Sequence, residues 1–307
     1  MRVLQPLTRE CSHPAQVFFI CPQPFITCLM RNISIATIKM TKVSSNHLLA
    51  DEDVLAVEEP LQIQLQYGPE DKPILKAISV TMRTPGQDEA LALGFLFTEG
   101  IIQDQSQVAG TYGKPAENKV LVKLQEAVVP LLHKSERNFY TTSSCGVCGK
   151  TSIDAIKTVS RYQHTAGDLQ VNASLFYGLE EALIKQQALF ASTGGLHASA
   201  LFDLEGNLLL LREDVGRHNA LDKLIGAAFI NQDLPLNHQV LLLSGRASFE
   251  LVQKAAMAGI RIVAAIGAPS SLAVQLAADT GITLIGFLRD NGFNIYSGAH
   301  RITHPKT

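Results

Sequence analysis

The sequence predicts an α/β protein with a smaller α+β part ahead of it. Short all-apolar runs at Val240 to Leu243, Arg261 to Ile266 and Ile282 to Phe287 are separated by helix-length segments, Ser248 to Ala258 and Ser270 to Asp279. Buried strands alternating with helices are the pattern of parallel β-α-β units. Upstream, Leu61 to Tyr67 and Ile78 to Met82 alternate apolar and polar residues, as the half-buried strands of a hairpin do. The 307 residues, 46% hydrophobic and 18% charged, supply core for about two domains.

Residues 1–45 are expected to be a poorly ordered extension. The first forty residues hold Cys11, Cys21 and Cys28, four prolines and a single acidic residue, Glu10. The apolar run Val17 to Cys21 ends at Pro22, too short for a secretory signal, and Met40 offers an alternative start. Residues 46–138 are expected to form the small α+β domain. Gly68-Pro69-Glu70-Asp71 turns its hairpin, Thr84-Pro85-Gly86 ends the second strand, and Asp88 is placed to cap a buried helix through Phe97. Lys119 to Leu124 alternates as one more strand. Residues 139–307 are expected to form the α/β domain. Ile153 to Val159 is helix-like, and Ser174 to Phe190 reads as one longer helix. His197 to Asp203 and Leu208 to Arg212 flank Glu205-Gly206-Asn207 as a second hairpin, and Glu213-Asp214 is placed to cap a helix through Ile225.

Chemistry concentrates in Thr142-Ser143-Ser144-Cys145-Gly146-Val147-Cys148-Gly149-Lys150. Cys145 and Cys148 form a Cys-x-x-Cys, which serves as a redox pair, as half of a zinc site, or as a sulfur carrier. A zinc site needs four ligands, and His133, His164, His197 and His218 show no zinc-finger spacing, so no metal is expected. A zinc-deaminase signature is missing as well, because no histidine has Glu two places on and Ser144 precedes Cys145. The segment before Cys145 is a weak strand for a thioredoxin motif. Lys150 and a helix start near Ser152 would lower a thiolate pKa, and Gly146 and Gly149 permit the reach that sulfur transfer requires.

In an open α/β sheet, ligands bind beyond the carboxyl ends of the strands. Those ends carry Ser244-Gly245-Arg246, Gly267-Ala268-Pro269-Ser270 and Arg289-Asp290-Asn291-Gly292. Free N–H groups at helix starts suit phosphate, Arg246 and Arg289 add forked donors, and Arg212, Arg217 and His218 enlarge the positive region. If these are ordinary turns, the arginines pair instead with Glu213, Asp214 or Glu250. The net charge of -2 argues against a nucleic-acid or membrane surface, and no apolar run reaches a membrane span. Five cysteines in a chain this long fit a reducing cytoplasm.

From about Glu58 to Tyr296 the chain resembles the formate dehydrogenase accessory sulfurtransferases, the FdhD family. The matching stretches include Glu59-Pro60-Leu61, Met82-Arg83-Thr84-Pro85-Gly86, Leu93-Gly94-Phe95-Leu96 through Glu99-Gly100 and Ser144 to Lys150. They continue with Thr193-Gly194-Gly195-Leu196-His197, Arg212 to Lys223 and Ser244-Gly245-Arg246. The resemblance implies a sulfurtransferase that takes sulfur from a cysteine desulfurase as a cysteine persulfide. It implies delivery to the molybdenum-bis(molybdopterin guanine dinucleotide) cofactor, bound as a substrate and needed for formate dehydrogenase activity. Cys145 would carry the persulfide with Cys148 assisting. Phe287, Leu288, Arg289, Asp290, Asn291 and Gly292 match the guanine-nucleotide segment, although basic residues frequent there in the family are replaced by Asp290, Asn291 and Gly292. The resemblance further implies a cytidine deaminase-like layered α/β/α domain that carries the cysteine loop and the ligand site, and a homodimer. The rival function is a cofactor-binding chaperone without sulfur chemistry.

Overall fold

The computed structural model describes residues 34–45, 47–132, 162 and 169–304, which lie in one compact unit. It opens with an antiparallel ribbon, β1 (Ile35–Ser44) and β2 (His47–Ala56), paired from Ile35 with Ala56 to Ser44 with His47. Residues 35–44 therefore do not belong to a poorly ordered extension. Their β-branched residues, Ile35, Thr37, Ile38, Thr41 and Val43, favour extended backbone.

Next come β3 (Glu59–Tyr67), β4 (Ile74–Arg83), α1 (Asp88–Thr98), β5 (Val108–Lys114) and β6 (Lys119–Leu124). They build a four-stranded sheet of order β4-β3-β6-β5, in which β3 runs antiparallel to β4 and parallel to β6. Leu61, Ile63 and Leu65 of β3 and Val120 and Val122 of β6 point into one core, as the alternation requires. The cap of α1 is Gln87, with φ 59°, and not Asp88. The Asp88 carboxylate instead receives two hydrogen bonds from Arg83, Nε at 2.9 Å and Nη2 at 2.8 Å.

A short strand, β7 (Val171–Asn172), leads into a 3-10 turn over Ala173–Phe176, then α2 (Leu179–Gln186) and α3 (Ala188–Thr193). The single helix expected over 174–190 is thus three pieces. Gly178, at φ 89°, and Gln187, with non-helical ψ, break it. Then follow β8 (His197–Phe202), β9 (Leu208–Asp214), α4 (Arg217–Asn231), β10 (Val240–Leu243), α5 (Phe249–Met257), β11 (Ile262–Ala265), α6 (Ser271–Asp279), β12 (Thr283–Arg289), β13 (Gly292–Ser297) and β14 (Ile302–Thr303). The main sheet has order β13-β12-β11-β10-β8-β9. Strands β10, β11 and β12 are parallel, as expected from the β-α-β pattern, and antiparallel hairpins extend both edges.

Leu241, Leu243, Val263 and Leu284 point to the face covered by α4, α5 and α6. Val240, Leu242, Ile262 and Ile285 point to the other face, against Phe176, Leu179 and Leu183. Helical segments therefore cover both faces of the sheet. The first core is continuous with the interior of the four-stranded sheet through α1 and α4, which cross at Gly94 and Gly226. The boundary expected at 138/139 lies outside the described residues. No helix among them is long and apolar enough to cross a membrane.

Candidate functional site

Cys145, Cys148 and Lys150 lie outside the described residues. Among the described residues, the strand ends named above close on one another. Beyond Leu243 the chain enters Ser244-Gly245-Arg246, and beyond Ala265 it enters Gly267 to Ser270. These turns lie against each other: the Gly267 N–H donates to the Gly245 carbonyl at 3.0 Å, and the Phe287 N–H donates to the Gly267 carbonyl at 3.2 Å. A Cβ on Gly267 would stand 3.0 Å from the Arg246 Cα, and one on Gly286 would stand 2.7 Å from the Pro269 Cδ. Glycine is what lets the three strand ends close up.

Strand β8 runs antiparallel to β10, so its first residue, His197, reaches this same edge. Its ring lies against Gly245, where a Cβ would be 3.4 Å from Nδ1. Ser244 ties the two strands, its N–H donating to the Ala198 carbonyl and its Oγ accepting from the Ala198 N–H at 2.8 Å. Burial pushes the His197 pKa down, Arg217 and His218 push it further, and Asp214 opposes them. The ring is therefore neutral at pH 7.

Arg217 and His218 form the first turn of α4, whose cap, Gly216, supplies no side-chain acceptor. The His218 Nε2 lies 3.4 Å from the Ser248 Oγ and 3.9 Å from a Glu250 carboxylate oxygen. The His218 ring beside it, a contact too long for a good hydrogen bond in this geometry, holds the Glu250 pKa down to about 2 despite partial burial. A depressed carboxylate pKa contributes stability above its unfolded value, near 4.5, and that contribution is lost as pH falls towards 2. Glu250→Gln is expected to flatten the slope of unfolding free energy against pH between about 4.5 and 2. Urea titrations at several pH values check this, and an unchanged slope would remove the His218–Glu250 pair from the account.

Behind the site stands a buried network that the motif stretches explain. Asp214, fully buried at the end of β9, accepts from Lys223 Nζ at 2.7 Å, the Gly216 N–H at 2.8 Å, Asn219 Nδ2 at 3.1 Å and the Thr84 N–H at 3.2 Å. Lys223 Nζ also donates to the Thr84 carbonyl at 2.8 Å. Thr84 Oγ1 in turn accepts from the Val215 N–H at 3.2 Å, and Asn219 Nδ2 donates to the Met82 carbonyl at 2.7 Å. The Arg83-Thr84-Pro85 turn is thereby bound to the start of α4. Glu213 accepts from the N–H groups of Leu189 and Phe190 and so fixes the start of α3, which leads through Gly194 and Gly195 to His197.

A second buried cluster joins α1 to α4 and α5. Lys254 Nζ donates to Asp222 at 2.9 and 3.0 Å and to Thr98 Oγ1 at 2.8 Å, and lies 3.5 Å from Glu99. Burial pulls the Lys254 pKa down, and Asp222 and Glu99 together outweigh it, so the ammonium stays charged.

The structure thus brings Ser244, Gly245, Arg246, Arg217, His218 and His197 to one edge. It does not bring Arg289 there as a free phosphate donor. That guanidinium donates to the carbonyls of Ile266 and Leu288 and lies 3.6 Å from Glu180. Leu288 is fully buried in the core behind the sheet, which keeps its side chain from any ligand. Asp290 and Asn291 are the exposed turn of the β12–β13 hairpin, with Arg289 paired to Gly292. Phe287 sits in a bulge with φ 53°, and its side chain is exposed. Glu213 and Asp214 do not cap α4 directly but end β9. Sequence reasoning gave no role to Thr84, Lys223 or Ser248, and offered Glu250 only as a partner for an arginine rather than for His218. Thr84 and Lys223 are coupled across 139 positions, a distance at which no local pattern carries a signal.

Residues 56–303 match the model of the FdhD/NarQ family. The chain is 48% identical over 274 residues to the sulfur carrier protein FdhD of Streptomyces coelicolor, covering 86% of this chain and 94% of that one. It is 39% identical over 270 residues to the sulfur carrier protein FdhD of Sulfolobus acidocaldarius, covering 88% and 99%. Among solved structures, a chain described as a candidate formate dehydrogenase accessory protein from Desulfotalea psychrophila superposes with a TM-score of 0.65 at 22% identity. The match covers 88% of this chain and 99% of that one, a likeness of fold.

Proposed function

This chain belongs to the FdhD/NarQ family, and on that basis we propose that it is a sulfur carrier serving formate dehydrogenase, with Cys145 as the carrying thiol. The observation that carries the reading is the convergence of Arg217, His218 and the Gly245 and Gly267 turns at one sheet edge. An anionic acceptor has a place to sit there, in a chain whose Cys-x-x-Cys falls in the same half. The relatives' names support the sulfur role. The helical layers on both sides of the mixed sheet support a cytidine deaminase-like reading of the domain.

The Cys145 thiolate attacks the outer sulfur of a persulfide on a cysteine desulfurase. The donor's S–S bond breaks, a new one forms on Cys145, and the donor leaves as a thiolate. Cys148 assists release towards the acceptor. The acceptor is the molybdenum-bis(molybdopterin guanine dinucleotide) cofactor. Its phosphates are taken by Arg246 and Arg217, and the exposed Phe287 ring offers a face for guanine. Leu288 contributes only backbone, and Arg289 to Gly292 shape the rim. The cytoplasm supplies the reducing setting such thiols need.

Incubation with a cysteine desulfurase and cysteine is expected to add one sulfur to Cys145, read by peptide mass spectrometry. Cys145→Ala is expected to abolish activation of formate dehydrogenase. Sulfur on neither Cys145 nor Cys148 would sink the carrier reading. Activation that survives Cys145→Ala would favour a chaperone without sulfur chemistry.

A further inference from the structure

Four cations among the described residues are more than nine-tenths buried: Arg83, Lys223, Lys254 and Arg301. Three of them have a counter-charge at hand. Arg83 lies 2.8 Å from Asp88, Lys223 2.7 Å from Asp214 and Lys254 2.9 Å from Asp222. Arg301, 5% exposed, has no such carboxylate among the described residues. Its side chain donates from Nη1 to the Thr283 Oγ1 at 3.2 Å, and its Nε is buried with no acceptor. A guanidinium has five N–H donors, and burying its charge without a counter-charge is costly.

Its surroundings sharpen the point. Thr283 opens β12, and its N–H donates at 2.8 Å to the carbonyl of Arg261, the residue before β11. Thr283 Oγ1 accepts from Arg301 and donates to the Gly298 carbonyl at 2.9 Å. Gly298, at φ 68°, comes so near that a Cβ there would stand 2.5 Å from Thr283 Oγ1. One threonine thus holds both arginine segments at the amino ends of β11 and β12, the edge of the sheet opposite the strand-end turns. Burial pushes the Arg301 pKa down, and Arg261 pushes it further, so the charge acting on Arg301 has its own sign. Helices α5 and α6 end at this edge, and helix-end carbonyls often take such cations. Among the described residues Arg301 donates to none of them.

We propose that Arg301 and Arg261 form a binding site for a doubly charged oxyanion of the phosphate class. Arg301 supplies the unsatisfied donors, and Arg261 supplies the second positive charge. Two guanidinium groups match a dianion in charge, where a carboxylate would balance only one, and their planar forks suit phosphate oxygens. Arg261 is half-buried and His300, next to Arg301, is exposed, so an ion can reach the pair from the surface. The inference stands apart from the sulfur reading, since no residue of the strand-end site takes part in it.

Thermal unfolding of the full chain in phosphate, and in chloride of equal ionic strength, tests it. With about 50 mM phosphate and a Kd of about 1 mM, the wild-type Tm is expected to rise by roughly 4–8 °C. Arg301→Met keeps the bulk and removes the charge. It is expected to lose most of that rise, and in chloride to be at least as stable as the wild type, because it removes a charge that nothing there balances. Arg301→Lys keeps the charge without the fork and is expected to raise the phosphate Kd at least about tenfold. Arg217→Gln, at the strand ends, is expected to leave the Arg301-dependent rise in place. Adenosine monophosphate is the second probe. A matching rise that Arg301→Met removes means that the phosphate enters on a larger molecule, and a rise with inorganic phosphate alone assigns the free ion. Phosphate stabilises folded chains in general, so a rise no larger in the wild type than in Arg301→Met overturns the proposal. So does an Arg301→Met chain destabilised equally in both buffers, an affinity that Arg301→Lys leaves unchanged, or an Arg301-dependent rise that Arg217→Gln abolishes.

Discussion

Lys223→Met is expected to lower the unfolding free energy by about 3–5 kcal/mol. The substitution leaves the fully buried Asp214 charged with no cation, and removes the donor that the Thr84 carbonyl uses. Three N–H donors still reach Asp214, from Gly216, Asn219 and Thr84, but none carries charge. Adding Asp214→Asn to Lys223→Met is expected to recover part of the loss, because the unpaired charge is then gone. Urea denaturation of the two single variants and the double variant reads the coupling. A loss under about 1 kcal/mol for Lys223→Met would mean that neutral hydrogen bonds suffice for Asp214. The effect extends to the site, since Asp214 fixes Gly216, and with it the direction in which α4 presents Arg217 and His218.

Gly226→Ala is expected to destabilise by about 3 kcal/mol and to lower Tm by roughly 6–10 °C. In most helix interiors the same change stabilises by nearly 1 kcal/mol, so the expected sign is reversed here. The cause is the α1–α4 crossing. A Cβ on Gly226 would lie 1.8 Å from the Ala90 carbonyl oxygen, and one on Gly94 would lie 1.9 Å from the Asp222 carbonyl oxygen. Both obstacles are backbone, so the helices themselves must separate, and the core shared by the two sheets opens with them. Gly94→Ala is expected to behave alike. Gly113→Ala, whose Cβ would find its nearest atom at an ordinary 3.5 Å, is the control. Calorimetry decides, and a Gly226→Ala chain as stable as the control would show that the crossing yields.

What could be read from the sequence was what its local pattern records. The β3–β4 hairpin alternates, the β8–β9 hairpin shows as apolar strands about the Glu205-Gly206-Asn207 turn, and the β10-α5-β11-α6-β12 run shows as apolar strands between helices, so these were legible. β5 was not, because Val108 to Lys114 carries two glycines and no clean alternation. The ribbon was missed because β1 adjoins a segment of odd composition. The strand-end turns were legible as backbone, and Arg217 and His218 at the start of α4 as a cluster. The direction of a long side chain was not. Arg289 has the right position and turns to Glu180 and two carbonyls instead. The supports at Thr84, Lys223, Asp222 and Lys254 escaped for a different reason: their partners are 32 to 156 positions away or are masked by ordinary helix composition.

The crossing of α1 and α4 also sets a timetable for synthesis. The first sheet and α1 are complete by residue 124, but Thr98 of α1 meets Asp222 of α4 only across a separation of 124 positions. At about 5–20 residues per second, the interval between making the two is roughly 6–25 s. Throughout it, the apolar side of α1 and the glycine seat for α4 have nothing to close on. The core of the N-terminal half is thus completed only when the sheet that carries the site has been made.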